Sequence, residues 1–208
     1  MLNQPINERV VEIPYALAHI PQSGTILDVG SCDAPYLACI QLPGRQLHCL
    51  DPRPMTPPSG VQYFQQTIQG FATPERFGTY DGVLMLSSLD HIGLDAYGQP
   101  ACDGGVEAAL AAAWHLLKSR GSLVVTVPVG IPKVAGWYRQ FAPYELLRLL
   151  KAFEIVDAVF YEYWQGEYWQ GEYWPGEYCL TSAPEVKHCD YRDGEGAGAV
   201  GCIHAIKI

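Results

Sequence analysis

The sequence predicts an α/β fold built on a doubly wound, mostly parallel sheet. Three observations carry this. Short apolar runs of strand type alternate with stretches of helical periodicity from one end of the chain to the other, the pattern of a sheet covered on both faces. The 208 residues suit a single domain spanning 1–208 around one core. The hydrophobic fraction of 49% stands beside only 17% charged residues, where soluble proteins average about 25% charged, and so describes a well-buried globule.

The elements follow in order. Asn7 is placed to cap a helix that runs to about His19, interrupted at Pro14, and Pro21 and Gly24 lead into a strand over Thr25 to Val29. A helix around Tyr36 to Gln41 precedes the second strand, Gln46 to Leu50, which Asp51 ends before PRPMTPPSG forces an open loop. A third strand lies near Val61 to Gln65. Asp81 to Leu86 reads as a buried fourth strand, followed by the polar turn Ser87-Ser88-Leu89-Asp90-His91. Val106, Ala109, Leu110, Ala113, Leu116 and Leu117 recur at three and four positions, which makes a helix that Gly121 stops. Ser122 to Val127 is a fifth strand, Pro143 opens a helix with Leu146, Leu149 and Leu150 on one face, and Glu154 to Tyr161 and Val200 to Ile208 are the sixth and seventh strands.

Between the last two strands, the segment 162–198 opens with EYWQG, EYWQG, EYWPG and EYC, a period too short for a solenoid. It suits a curled, aromatic-faced hairpin. Trp164, Trp169 and Trp174 are five residues apart, so a flat strand would alternate them between faces, and some must stay exposed or meet a partner. The expected partner is a second copy, a homodimer contact, with a lid over a ligand pocket as the other role.

Composition narrows the function. Thirteen basic against 22 acidic residues leave a formal charge of -9, which disfavours nucleic acid. The first residues lack the basic start and apolar middle of a signal peptide, and no apolar stretch reaches the ~18 residues of a membrane span, so the expectation is a cytoplasmic protein with no membrane partner. Seven cysteines without a C-x-x-C pair indicate neither a disulfide framework nor a zinc site.

In a doubly wound sheet, ligands bind outside the carboxyl ends of the strands, at the switch in strand order. The turns there are the polar ones. Gly30 permits a tight turn with a ligand close to the backbone, and Asp28 sits at the tip of the first strand. A dinucleotide fingerprint would need glycine where the chain has Cys32 and Pro35. Twenty-one positions after Gly30, Asp51 can accept hydrogen bonds from both hydroxyls of a ribose, so the pattern indicates a nucleoside without a diphosphate.

On these residues the chain resembles the class I S-adenosylmethionine-dependent methyltransferases. LDVGSCD is similar to their first motif, and Asp51 in HCLDPRP to their ribose-binding acid. YDGVLMLSSLDHIG looks like their fourth strand and its turn, HLLKSRGSLVVTVPVG like their fifth-strand segment, and the final strand like their reversed seventh. The resemblance extends over nearly the whole chain. It implies a Rossmann-like fold of seven strands, in the order 3-2-1-4-5-7-6 with the last antiparallel, and S-adenosyl-L-methionine as cofactor. The expected cofactor-binding residues are Asp28, Gly30, Ser31, Cys32, Asp51, Pro52, Thr67, Ser87 and Ser88. Cys32 stands where the family usually has glycine, and Thr67 where it often has an acid.

His91 in SSLDHIG is the candidate catalytic base, because an imidazole with an unperturbed pKa of about 6.5 can take a proton from a hydroxyl as a methyl group transfers. Asp90 and Tyr97 are the substitutes. The expected reaction is methyl transfer to a small-molecule acceptor, at oxygen, bound among the 92–103 loop, the Trp137 to Phe141 segment and the aromatic hairpin. Arg53 and Arg139 can hold an anionic group on it. No third ligand joins Asp90 and His91 to make a metal site. The alternative is a non-catalytic protein of the same fold that uses the Tyr/Trp repeat for assembly.

Overall fold

The computed structural model describes residues 7–32, 34–97, 99–165, 167–169, 172–174, 176–192 and 196–208, with the backbone alone for 167–169 and 172–174. Helix α1 (Arg9–His19) is followed by β1 (Gly24–Val29), α2 (Leu37–Ile40), β2 (Arg45–Leu50), β3 (Gln62–Phe64), α3 (Ile68–Phe71), β4 (Tyr80–Leu86) and α4 (Gly105–Leu116). The second half holds β5 (Leu117–Pro128), β6 (Lys133–Ala135), β7 (Tyr138–Gln140), α5 (Pro143–Leu149), β8 (Phe153–Trp164), β9 (Glu167–Trp169), β10 (Glu172–Trp174), β11 (Glu177–Thr181), α6 (Ala183–Val186) and β12 (Ala199–Lys207).

The main sheet runs β3-β2-β1-β4-β5-β12-β8-β11. From β3 to β5 all pairs are parallel, and β12 enters antiparallel between β5 and β8. This is the expected order with one addition. The chain turns back after β8, and β11 pairs antiparallel with it from Glu177 opposite Trp164 to Thr181 opposite Phe160, so the sheet has eight strands, not seven. Between β8 and β11 in the chain, β9 pairs antiparallel with β10 as a separate two-stranded sheet.

Alternation along the strands builds two cores. Leu27, Val29, Val83, Met85 and Val125 face α4, where Ala109, Leu110, Ala113 and Leu116 repeat at helical spacing. Ile26, Leu84, Leu86 and Val124 face the other way, onto Tyr15, Ala16 and Ile20 at α1 and Tyr36, Leu37 and Ile40 at α2. Helices on both faces make the sheet doubly wound.

Two local expectations change. Helix α1 runs through Pro14, and its N-cap residue is Glu8, while Asn7 Oδ1 accepts the Arg9 N–H at 3.1 Å. Strand β5 begins directly at the end of α4, because Leu117 pairs with Tyr80 before a register shift brings Ser122 opposite Gly82. No helix among the described residues is long and apolar enough to cross a membrane.

Candidate functional site

The chain leaves β1 outward to β2 and β3 on one side, and returns through β4 and β5 on the other, so the switch point lies between the carboxyl ends of β1 and β4. A cavity of about 380 Å3 opens there. Its wall includes Gly30, Cys32, Asp51, Pro52, Thr67, Ser87, Ser88 and His91, eight of the ten residues expected to bind the cofactor or act as the base. Asp28 and Ser31 are fully buried and lie outside that wall. Ser31 Oγ donates to the Asp28 carbonyl at 2.7 Å and Tyr36 Oη to Asp28 Oδ1 at 3.2 Å, so Asp28 and Ser31 hold the shape of this turn from behind.

Gly30 is required twice over. Its φ is +85°, and a Cβ built on it would come to 2.6 Å from Ser88 Cβ. The β1 and β4 turns therefore approach each other through a missing side chain. Asp51, 2% exposed, ends β2 with its carboxylate turned to the first turn: Oδ2 accepts the Cys32 N–H at 2.9 Å. The Arg53 N–H donates to Oδ1 at 2.9 Å, and the Arg53 guanidinium adds bonds to both oxygens. Thr67 has a local task as well, since its Oγ1 caps α3 by accepting the Gly70 N–H at 3.2 Å.

The turn after β4 is clamped by α1. Ser87 has φ +42°, a left-handed conformation that an L side chain adopts at a cost. Its N–H donates to the Thr126 carbonyl and its Oγ to Glu12 Oε1 at 2.5 Å. Glu12 is fully buried, accepts also from Thr126 Oγ1 at 2.6 Å, and pairs with Arg9 at 2.9 Å. Burial pushes the Glu12 carboxyl above the usual range, against the pull of Arg9. Glu8 and Arg9 then reach the cavity wall.

At the far end of this turn His91 is held on every side. Its Nδ1 lies 2.7 Å from the Trp137 carbonyl; a carbonyl only accepts, so Nδ1 carries the proton. Its Nε2 lies 3.2 Å from Asp90 Oδ2. The ring stacks on Trp137 with centroids 5.2 Å apart and meets the Tyr97 edge at 4.9 Å. Asp90 is buried, which raises its carboxyl pKa, with His91 pulling the other way. The group able to take up a proton here is thus the Asp90–His91 pair, not an isolated imidazole. Among the described residues, Asp90 Oδ1 and Ser88 Oγ are buried without a hydrogen-bond partner, and both residues line the cavity.

Of the acceptor walls expected, Ile92, Tyr97, Gln99 and Trp137 are present, and Tyr191 comes from the 162–198 segment. The side chains of Trp169 and Trp174, and Gly166 and Gly171, lie outside the described residues. Arg53 lines the cavity; Arg139 does not, and its guanidinium instead donates to the Ile92 carbonyl at 3.4 Å. Sequence reasoning missed Glu8, Arg9 and Glu12. The signal was there in Glu12, a charged residue sharing a helix stripe with the apolar Tyr15 and Ala16 at three and four positions. Among the described residues no three His, Cys, Asp or Glu side chains gather as a metal site would need.

No family model matches the chain, and no curated protein matches it in sequence. Solved structures match its fold. The 1,6-didemethyltoxoflavin-N1-methyltransferase of Burkholderia thailandensis, solved with 1,6-didemethyltoxoflavin and S-adenosylhomocysteine, aligns with a TM-score of 0.60 and 18% identity, over 94% of this chain and 76% of its own. The N-methyltransferase NodS of Bradyrhizobium japonicum, in complex with S-adenosylhomocysteine, aligns with a TM-score of 0.61 and 14% identity, over 99% of this chain and 90% of its own. The 4+2 cyclase SpnF aligns with a TM-score of 0.53 and 18% identity over 70% of this chain, which spans 58% of the cyclase. The chain has the class I S-adenosylmethionine-dependent methyltransferase fold. Because one of these neighbours is named for a cyclisation, the reaction has to be argued from the site.

Proposed function

We propose that the protein transfers a methyl group from S-adenosyl-L-methionine to a small-molecule acceptor, at oxygen. The observation that carries this is one cavity joining the Gly30 turn and Asp51 on one side to the Asp90–His91 pair on the other. The residues fit the cofactor: Gly30 keeps open the space a side chain would fill, and Ser88 Oγ is a buried hydroxyl with no partner among the described residues. Gly30, Cys32, Asp51, Pro52, Thr67, Ser87 and Ser88 would hold it, with Asp28 and Ser31 supporting the first turn from behind. When bound, its sulfonium supplies an electrophilic methyl group.

The chain's own work is then to place the acceptor and take its proton. Trp137 and Tyr97 offer flat faces beside His91, and the hydroxyl proton passes to the Asp90–His91 pair as the oxygen is methylated. A nitrogen acceptor is the second reading, favoured by two neighbours named as N-methyltransferases. The charge of -9 argues against a nucleic-acid acceptor and suits a cytoplasmic protein acting on metabolites. For the aromatic hairpin we retain a homodimer contact, supported by Trp164 at 61% exposed.

Incubation with methyl-labelled S-adenosylmethionine and a pool of small metabolites tests the reading. Label appearing in a low-mass product, and lost with His91→Ala, supports it; label in none of the pools, with cofactor bound, favours a non-catalytic role. The linkage of the labelled methyl, ether or amine, decides between the two acceptors.

A further inference from the structure

A carboxylate offers about four lone-pair positions, and this chain fills all four at Asp51. Oδ1 accepts from the Arg53 N–H at 2.9 Å and from Arg53 Nε at 3.2 Å; Oδ2 accepts from the Cys32 N–H at 2.9 Å and from Arg53 Nη2 at 3.2 Å. Two of these donors are backbone groups, fixed by the turns that carry them. The other two belong to one guanidinium, which also donates to the Cys32 carbonyl at 3.2 Å and lies 4.4 Å from the centre of the Tyr97 ring. A ligand hydroxyl reaches Asp51 only by displacing that guanidinium.

The size of the cavity points the same way. About 380 Å3 lies near the lower end of the roughly 300–1,000 Å3 of a site for one drug-sized ligand, while methyl transfer needs a cofactor and an acceptor together. A wall that widens on one side would hold both. Arg53 is a long side chain, 27% exposed, and Tyr97 beside it is 42% exposed; Asp51, Gly30 and Ser88 belong to the packed strand ends.

We infer that Arg53 sets the affinity of the nucleoside subsite by competing for Asp51: it occupies the carboxylate when no ribose is there and reclaims it as the product leaves. The inference rests on the proposed cofactor. It follows from the exchange involved, in which neutral ribose hydroxyls replace two charge-assisted bonds to a nearly buried carboxylate. Cofactor and product therefore bind less tightly than Asp51 alone would allow, and the displaced guanidinium, stacked on Tyr97, stays at the acceptor side of the cavity.

Calorimetric titration with S-adenosylhomocysteine of the wild-type chain, Arg53→Ala, Arg53→Lys, Asp51→Ala and the double variant tests it. Arg53→Ala is expected to bind on the order of ten-fold tighter, since it removes a charge-assisted competitor. Arg53→Lys falls between, because a lysine keeps the charge and loses the fork. In the Asp51→Ala background the Arg53→Ala change has no effect on affinity. Arg53→Gln provides the same comparison should Arg53→Ala fail to fold. Wild-type binding with Arg53→Ala unchanged or weaker overturns the competition and leaves the cofactor reading standing. Absence of binding in every protein overturns the cofactor reading and this inference with it.

Discussion

Asp28 is fully buried, with Tyr36 donating to its Oδ1 and no partner on Oδ2 among the described residues, and this burial pushes its carboxyl up to about 6 from an ordinary 3.8. Between those two values the folded chain keeps a proton that the unfolded chain has released. Stability from this group is therefore full below about pH 4, falls as the pH rises to about 6, and is level above, a loss of about 3 kcal/mol. Asp28→Asn is expected to flatten that part of the profile; urea unfolding at pH 4 to 7 measures it, and an equal slope in both proteins contradicts the assignment. At His91 the expectation is kinetic. His91→Ala should lower turnover by about 10²–10⁴-fold and leave S-adenosylhomocysteine affinity within a few-fold. An equal loss in affinity would make the imidazole a cofactor-positioning residue instead. Gly30 and Asp51 were legible in the sequence because a glycine and an acid that end consecutive strands keep their spacing in any chain that pairs those strands. The sharing of His91 between Asp90 and the Trp137 carbonyl was not, since the carbonyl comes from 46 residues away on a loop whose path no local pattern predicts.

At the scale of elements, α1 is tied to the turn after β4 by the buried carboxylate of Glu12. Glu12→Ala would leave the Ser87 and Thr126 hydroxyls without their acceptor and take the carboxylate from Arg9, which is 30% exposed and still donates to the Leu86 carbonyl, and should cost about 1–3 kcal/mol, the range for buried polar groups left unsatisfied. Chemical denaturation reads this directly; a loss below about 1 kcal/mol would show that the network relaxes around the gap. The β8–β11 hairpin makes the opposite prediction. Trp164 and Glu177 are paired across it, so replacing residues 165–176 with Asn-Gly closes the same two strands with a preferred turn. Stability is expected to change by no more than about 1 kcal/mol. Light scattering on the variant then separates the roles of the repeat: loss of dimer mass supports the interface, and retained mass with lost turnover supports a lid. The repeat announced a hairpin through its alternating aromatics and glycines. It did not announce β11, because that strand is recognisable as one only by its pairing with β8.

Across the whole molecule, the alternation of strands and helices made the doubly wound class legible, and the order β3-β2-β1-β4-β5-β12-β8 is the one that the family resemblance implied. The pieces that escaped, α3, β6, β7, α6 and the edge strand β11, are each five residues or shorter, too brief for periodicity to distinguish from loop. The fold brings four strand ends to one cavity, and on the proposed reading β1 and β2 supply the nucleoside side and β4 and β5 the proton-accepting side. That division rests on the cofactor being S-adenosylmethionine. Equilibrium dialysis of the wild-type chain and Asp51→Ala against tritium-labelled S-adenosylmethionine is the most direct test. The account predicts saturable binding at one site per chain, displaced by S-adenosylhomocysteine and weakened on the order of ten-fold or more in Asp51→Ala, which loses the acceptor for the ribose; no saturable binding by the wild type, or equal binding by both, would contradict it.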